Sequence, residues 1–299
     1  MIGNTFYFDW EINLISAIQE HFGKFGILLS QFCSLLGQEY PLVLMVMIFF
    51  FCIDKKLGER LGISLMTVLI WAPMVKNIFL RRRPYFDHEN VKILIAPSPT
   101  EDAYDLMAQG FSLPSAHSAC SATAYPQLAY AIKKKWAIII IGIGLPLIIG
   151  ISRFCVGAHY PTDVLCGWAL GIVSTIVVVL LKSKINNPDI SNFILLMTGI
   201  PGLFYCQSED FFTGFGLLLG SCFGFMFERK FVDFKPTKKL IYNILRIALG
   251  ICVFLAFAQG IKFIFGDTLL IRVIRYAIGA FMTLGIFPLI FTRYEKEKE

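Results

Sequence analysis

An all-α polytopic membrane fold is predicted by three features of this sequence. They are its apolar composition, its apolar runs of membrane-spanning length, and the basic residues gathered in alternate breaks between those runs. Hydrophobic residues make up 56% of the 299-residue chain and charged residues 16%, with a mean hydropathy of +0.67. A soluble domain carries about 25% charged residues. The runs are about 17–22 residues long, enough for a helix to cross a hydrocarbon core of roughly 30 Å. They are continuous, which argues against the alternating strands of a membrane barrel.

Taken in order, residues 1–38 open on the polar Asp9-Trp10-Glu11. The apolar stretch at 25–36 is short, with Glu20, His21 and Lys24 before it. An interfacial, re-entrant approach on the outer side is expected here, with a short tenth span as the alternative. Nine spans are predicted at 40–53, 61–79, 115–132, 136–152, 162–181, 190–206, 211–227, 240–261 and 270–291. They divide into a core over 39–184 and a C-terminal helical extension over 185–299. No cleavable signal is expected, because no basic segment precedes an apolar one at the start. The eight cysteines occur singly and without a CxxC pair, as packing residues do.

Alternate breaks are basic: Lys55, Lys56 and Arg60; Lys133, Lys134 and Lys135; Lys182 and Lys184; Arg229, Lys230, Lys235, Lys238 and Lys239; then Arg293, Lys296 and Lys298. The positive-inside rule places them in the cytoplasm. The net charge of +6 is therefore a topology signal, and no nucleic-acid partner is expected. On the opposite face, Gln207-Ser208-Glu209-Asp210 carries no cation. The loop after residue 79, the turn around Arg153, and Lys262, Arg272 and Arg275 run against the trend and need another explanation.

Three polar clusters fall at span ends assigned to that same outer face. They are Lys76 with Arg83-Pro84, Pro114-Ser115 with His117, and Ser152-Arg153 with His159 and Asp163. Lys76, Arg83 and Arg153 put three cations at a membrane boundary, where uncompensated charge is costly. A tetrahedral dianion is their natural partner, since arginine forks bind two phosphate oxygens and lysine acts as a point charge. Ser115 opens a helix, whose free N–H groups also favour an anion. Two histidines complete the chemistry of phosphoryl transfer, one as nucleophile and the other as acid to the leaving oxygen. Asp163, four residues after His159, is spaced to fix an imidazole tautomer and stabilise its charged form.

These clusters resemble the signature of the type 2 phosphatidic acid phosphatase superfamily, K-x6-RP, PSGH and SR-x5-H-x3-D. Ala116 in place of the usual glycine is the sole departure. The resemblance covers roughly 25–181. It implies that His159 attacks phosphorus, oriented by Asp163, and that His117 protonates the leaving group. It further implies that Lys76, Arg83, Ser115 and Arg153 hold the phosphoryl oxygens, with no metal or other cofactor. The implied substrate is a phosphorylated lipid, such as undecaprenyl pyrophosphate, phosphatidylglycerol phosphate or phosphatidic acid. The expected location is the plasma membrane, with the site on its extracytoplasmic side among membrane lipids. Transfer of phosphate between lipids, a sugar phosphatase like the glucose-6-phosphatases, and a non-catalytic lipid transporter or scaffold are the alternatives. The last four helices are expected to form a wall for the lipid tail, a homodimer surface or part of a transport path.

Plainer roles are expected of the remaining polar residues. His21 and His88 read as packing or interfacial residues, and Cys155 as packing. Arg81 and Arg82 read as cations snorkelling to the interface. Glu101, Asp102 and Asp105, in the loop with Pro97 and Pro99, read as a solvated loop, with a headgroup-selecting lid as the sharper reading.

Overall fold

The computed structural model describes residues 3–21, 23–98, 100–237 and 239–296, so Pro99, Lys238 and Lys298 lie outside the described residues. The longer helices are α1 (Asp9–His21), α2 (Lys24–Gly37), α3 (Pro41–Ile53), α4 (Lys55–Phe79), α5 (Ala116–Ile132) and α6 (Lys135–Cys155). They continue with α7 (Pro161–Lys184), α8 (Pro188–Met197), α9 (Glu209–Val232), α10 (Leu240–Phe265) and α11 (Leu269–Thr292). Among the described residues no strand forms beyond one isolated bridge, Asn4 to Arg81.

Six helices, α4, α6, α7, α9, α10 and α11, are long and apolar enough to cross a membrane. The helices α2 and α3 reach that length only as a pair. Three of the nine predicted segments are thus not single spanning helices of this length. The segment 40–53 is the short α3, and 115–132 is α5, of 17 residues. The segment 190–206 breaks after Met197 and resumes as a short helix at Gly202–Tyr205. Pro201, which has no N–H to donate, stands at that break beside Gly199.

Contacts divide the chain into two compact units, and the division falls inside α3, α4 and α7. One comprises Met1–Leu42 and Trp71–Thr175; the other comprises Val43–Ile70 and Ile176–Glu299.

In the first unit, glycines let α5 and α7 meet backbone to backbone. A Cβ on Gly171 would lie 2.3 Å from the Ala119 carbonyl oxygen, and one on Gly167 would lie 2.5 Å from that of Ser115. The Ser115 N–H donates to the Asp163 carbonyl at 3.0 Å, which ties the first turns of the two helices together. Tyr125 on α5 latches α2 by donating to the Leu36 carbonyl at 2.8 Å. The N-terminal segment runs beside the end of α4, where Asn4 N donates to Leu80 O at 2.7 Å and Arg82 N to Asn4 O at 2.9 Å. Beneath it Ile12, Ile15, Tyr85, Val91 and Tyr160 form an apolar cluster.

In the second unit, Gly216, Gly220 and Gly224 recur every fourth residue along α9 and face α11. Lipid tails are as apolar as side chains, so helices in a bilayer associate through close packing at such small residues. A ring cluster of Phe50, Phe51, Phe225, Phe234, Phe287 and Phe291 fills one end of this unit. Several basic residues of the alternate breaks are ion-paired there. Glu59 takes Lys182 at 2.7 Å and also Arg229, while Lys55 pairs with Glu228 at 2.8 Å. The cations Lys262, Arg272 and Arg275, which ran against the charge trend, converge on Asp267 at 2.8–2.9 Å. A local counter-ion explains their placement without a cytoplasmic assignment. All eight cysteines are free thiols.

A Cβ on Gly220 would stand 2.0 Å from the Ala277 carbonyl oxygen, so the α9–α11 contact has no room for a side chain. Gly220→Val is expected to cost about 3 kcal/mol or more, read as a lowered midpoint of thermal unfolding in detergent. An unchanged midpoint would contradict this packing.

Candidate active site

Arg83 leads into the short helix Pro84–Asp87, whose first position is Pro84. Its side chain is 3% exposed and held by backbone. Nε donates to Gly110 O at 2.9 Å, Nη2 to Gln109 O at 2.8 Å and Nη1 to Ala158 O at 2.8 Å. That same Nη1 stands 3.2 Å from Nε2 of His159. A guanidinium only donates, so Nε2 must offer its lone pair and the ring proton belongs on Nδ1. Nδ1 faces Asp163 Oδ2 at 3.4 Å, longer than an ordinary hydrogen bond. The pairing is therefore electrostatic in this state. Nε2 is the nitrogen with an electron pair to give.

Asp163 lies in the first turn of α7, fully buried. Its Oδ2 accepts from Tyr160 N at 2.8 Å and its Oδ1 from Arg81 Nη1 at 2.7 Å. Arg153, near the end of α6 and 2% exposed, donates from Nη1 to Ser34 Oγ on α2 at 2.7 Å. Ser115 caps α5, its hydroxyl accepting from Ser118 N and from Ser118 Oγ at 2.9 Å. His117 follows in the first turn, within electrostatic reach of Arg153, His159, Lys76 and Arg83. Lys76, half-buried in the last turn of α4, also acts on His159. The first unit thus gathers Lys76, Arg83, Arg153, His117, His159 and Asp163. Burial, and then the Arg83, Arg153 and Lys76 cations, hold His159 neutral well below its ordinary value of 6.5.

The loop between α4 and α5 is built into this arrangement. Gln109, buried, gives its carbonyl to Arg83, and its side chain ties Ser98 N at 2.9 Å and Asp102 O at 3.1 Å. Asp105 caps the short helix Leu106–Gln109 through Met107 N at 2.9 Å. Beside His117 and Arg153 lies a cavity of about 610 Å³. Phe25, Leu28, Leu29, Phe32 and Leu35 of α2 line it, with Ile95, Ala96 and Pro97 of the loop. His159 is not among its lining residues.

Arg81 departs from the snorkelling expected of it. It is 2% exposed and bonded to Asp163, Thr162, Glu11 and the Phe6 carbonyl. A snorkelling cation would hold its head in water, whereas two buried carboxylates hold this one inside. Arg82 stays at the surface, 3.2 Å from Asp87. His88 packs edge-on against Tyr7 at 4.3 Å. Glu11, Ser34 and Gln109 were not legible as site residues. Glu11 stood in a polar stretch with no motif, and its one signal was an excess arginine needing a partner. Among the described residues, no three His, Cys, Asp or Glu are grouped to hold a metal ion.

Two family models match the chain: the PAP2 superfamily over residues 58–187, and the transmembrane extension of PAP2 superfamily phosphatases over 212–299. The chain belongs to the PAP2 superfamily. With its apolar helices, it is an integral membrane protein. It is 32% identical over 147 residues to an undecaprenyl-diphosphatase of Sulfolobus acidocaldarius, covering 48% of this chain and 64% of that protein. It is 40% identical over 72 residues to phosphatidylglycerophosphatase B of Bacillus subtilis, covering 21% of this chain and 35% of that protein. The matches thus span less than two thirds of either relative. No solved structure gives a significant match.

With its proton affinity depressed, His159 is expected to stay neutral when the pH falls from 8 to 6. Imidazole NMR of the four histidines, assigned by single substitutions, checks this. A His159 midpoint at or above 6.5 would contradict it. The unfolded chain binds that proton first, near 6.5. The linked contribution to stability is therefore complete above 6.5 and falls as the pH drops below it.

Proposed function

We propose that this protein is a membrane phosphatase that removes phosphate from a phosphomonoester or pyrophosphate headgroup of a lipid. His159 Nε2 attacks phosphorus, an N–P bond forms, and the P–O bond to the lipid breaks. His117 supplies the proton to the leaving oxygen. Water then attacks the phosphohistidine, His117 takes its proton, and inorganic phosphate leaves with its electron pair returned to Nε2. Asp163 stabilises the imidazolium that exists while phosphorus is attached. Lys76, Arg83 and Arg153, with the helix start at Ser115, balance the charge on the phosphoryl oxygens. Those cations supply the charge neutralisation that divalent ions supply elsewhere.

The groove carries the lipid reading. Its lining joins the polar His117 and Arg153, with Gln31, Ser34 and Gln38, to apolar side chains of α2, of which Phe25, Leu28, Leu29 and Phe32 are at least half exposed. An acyl or isoprenoid chain suits such walls, whereas a sugar phosphate would leave them wet. The names of the relatives favour a lipid pyrophosphate or a phosphatidylglycerol phosphate. Alternating loop charge favours a site on the extracytoplasmic side of the cell membrane, built from a core over 39–184. The extension over 185–299 then serves as a wall or a homodimer surface.

Purified protein is expected to release phosphate from a panel of lipid phosphates and pyrophosphates without added metal and undiminished by a chelator. His159→Ala should lower turnover by about 10⁴-fold or more with the fold retained. Full activity of that variant would sink the mechanism. A clear preference for glucose 6-phosphate over every lipid in the panel would sink the substrate class.

A further inference from the structure

Arg81 and Glu11 lie outside the phosphate cluster, yet they are as deeply buried as the nucleophile. Exposure is 2% for Arg81, 0% for Glu11 and 0% for Asp163. Arg81 Nη1 donates to Asp163 Oδ1 at 2.7 Å and to Thr162 Oγ1 at 2.7 Å, while Nη2 donates to Glu11 Oε2 at 3.0 Å. Its Nε donates to Phe6 O at 2.8 Å, and the guanidinium carbon lies 3.9 Å from the centroid of the Tyr160 ring. Glu11 closes the circuit. Its Oε1 accepts from Thr162 N at 3.0 Å and from Thr162 Oγ1 at 2.6 Å.

We infer that Arg81, clamped by Glu11 of the N-terminal helix, is a positioning residue for His159, acting through Asp163. This rests on the reading of His159 as nucleophile. By occupying Oδ1, Arg81 fixes the rotation of the carboxylate so that Oδ2 faces both Tyr160 N and His159 Nδ1. Two carboxylates against one guanidinium leave a single formal negative charge. That charge opposes the imidazolium formed when Nε2 bonds to phosphorus. The Nδ1–Oδ2 distance of 3.4 Å leaves room to tighten at that moment. The residues facing His159 from the surrounding elements are Arg83, Arg153, Lys76, His117 and Asp163. Of these, Lys76, Arg83 and Arg153 are the cations and Asp163 is the one carboxylate. Residues 6–11 thereby become part of the catalytic scaffold, although they precede the family motifs.

The test is a double-mutant cycle on the full-length protein, read by phosphate release from the best lipid of the panel, with His159→Ala as control. Arg81→Gln is expected to lower kcat by about 10²-fold with KM within about threefold, since it disturbs a charge needed only in the transition state. Arg81→Gln combined with Asp163→Asn should be no slower than Asp163→Asn alone, because both act through one carboxylate. Arg81→Lys should recover part of the loss. Glu11→Gln provides a second route should Arg81→Gln fail to fold. Its amide oxygen can still accept from Thr162 while its NH2 confronts Arg81, and the same kcat-selective, non-additive loss is expected. Full kcat in both variants, or losses that multiply with Asp163→Asn, would overturn the positioning role. An active His159→Ala would instead overturn the reading on which it rests.

Discussion

The buried carboxylate of Asp163 is the constraint from which the rest of the site follows. A charge removed from water is costly unless it is paired and hydrogen-bonded. Asp163 meets that demand with Arg81 on one oxygen and the Tyr160 N–H on the other. Those bonds fix the first turn of α7, and the carbonyl of Asp163 receives the N–H of Ser115. The start of α5, and with it His117, is therefore placed by the residue that faces His159. A second set of bonds, from Arg83 to three backbone carbonyls, brings a cation to the other side of the same imidazole. Arg83 beside Nε2, and the Asp163 carboxylate held by Arg81 beside Nδ1, place the lone pair on Nε2 and the proton on Nδ1.

Close backbone approach makes this possible. Gly167 and Gly171 let α7 lie against α5, and Gly37 lets α2 lie against Ile149 and His117. With α2 so placed, Ser34 reaches Arg153 and the apolar face of α2 borders the cavity at His117. Polar and apolar lining thus meet at one cavity. Elsewhere in the chain the same rule is applied differently. Glu59 and Asp267 each collect several cations, so that charges at helix ends are neutralised locally.

Much of the site was legible because spacing is a covalent property. Lys76, Arg83, His117, Arg153, His159 and Asp163 stand in motifs, and the structure gathers them in one unit. The helical membrane class followed from run length and composition in the same way. The segment at 190–206 was misjudged as one helix because mean hydropathy does not register the break at Gly199 and Pro201. Arg81 was misjudged because a surface arginine and a buried one look alike in sequence. The difference lies in the partner, and Glu11 is 70 residues away.

By itself, then, the sequence determined the membrane class, the alternation of charged breaks and the motif residues that the structure gathers in one unit. Each of these depends on residue type and local spacing. Only the tertiary structure decided which nitrogen of His159 carries the lone pair and that Arg81 serves Asp163. It alone brought Glu11, Ser34 and Gln109 to the site. Those assignments depend on hydrogen bonds between residues distant in the chain, made obligatory by burial in a medium with no water to take their place.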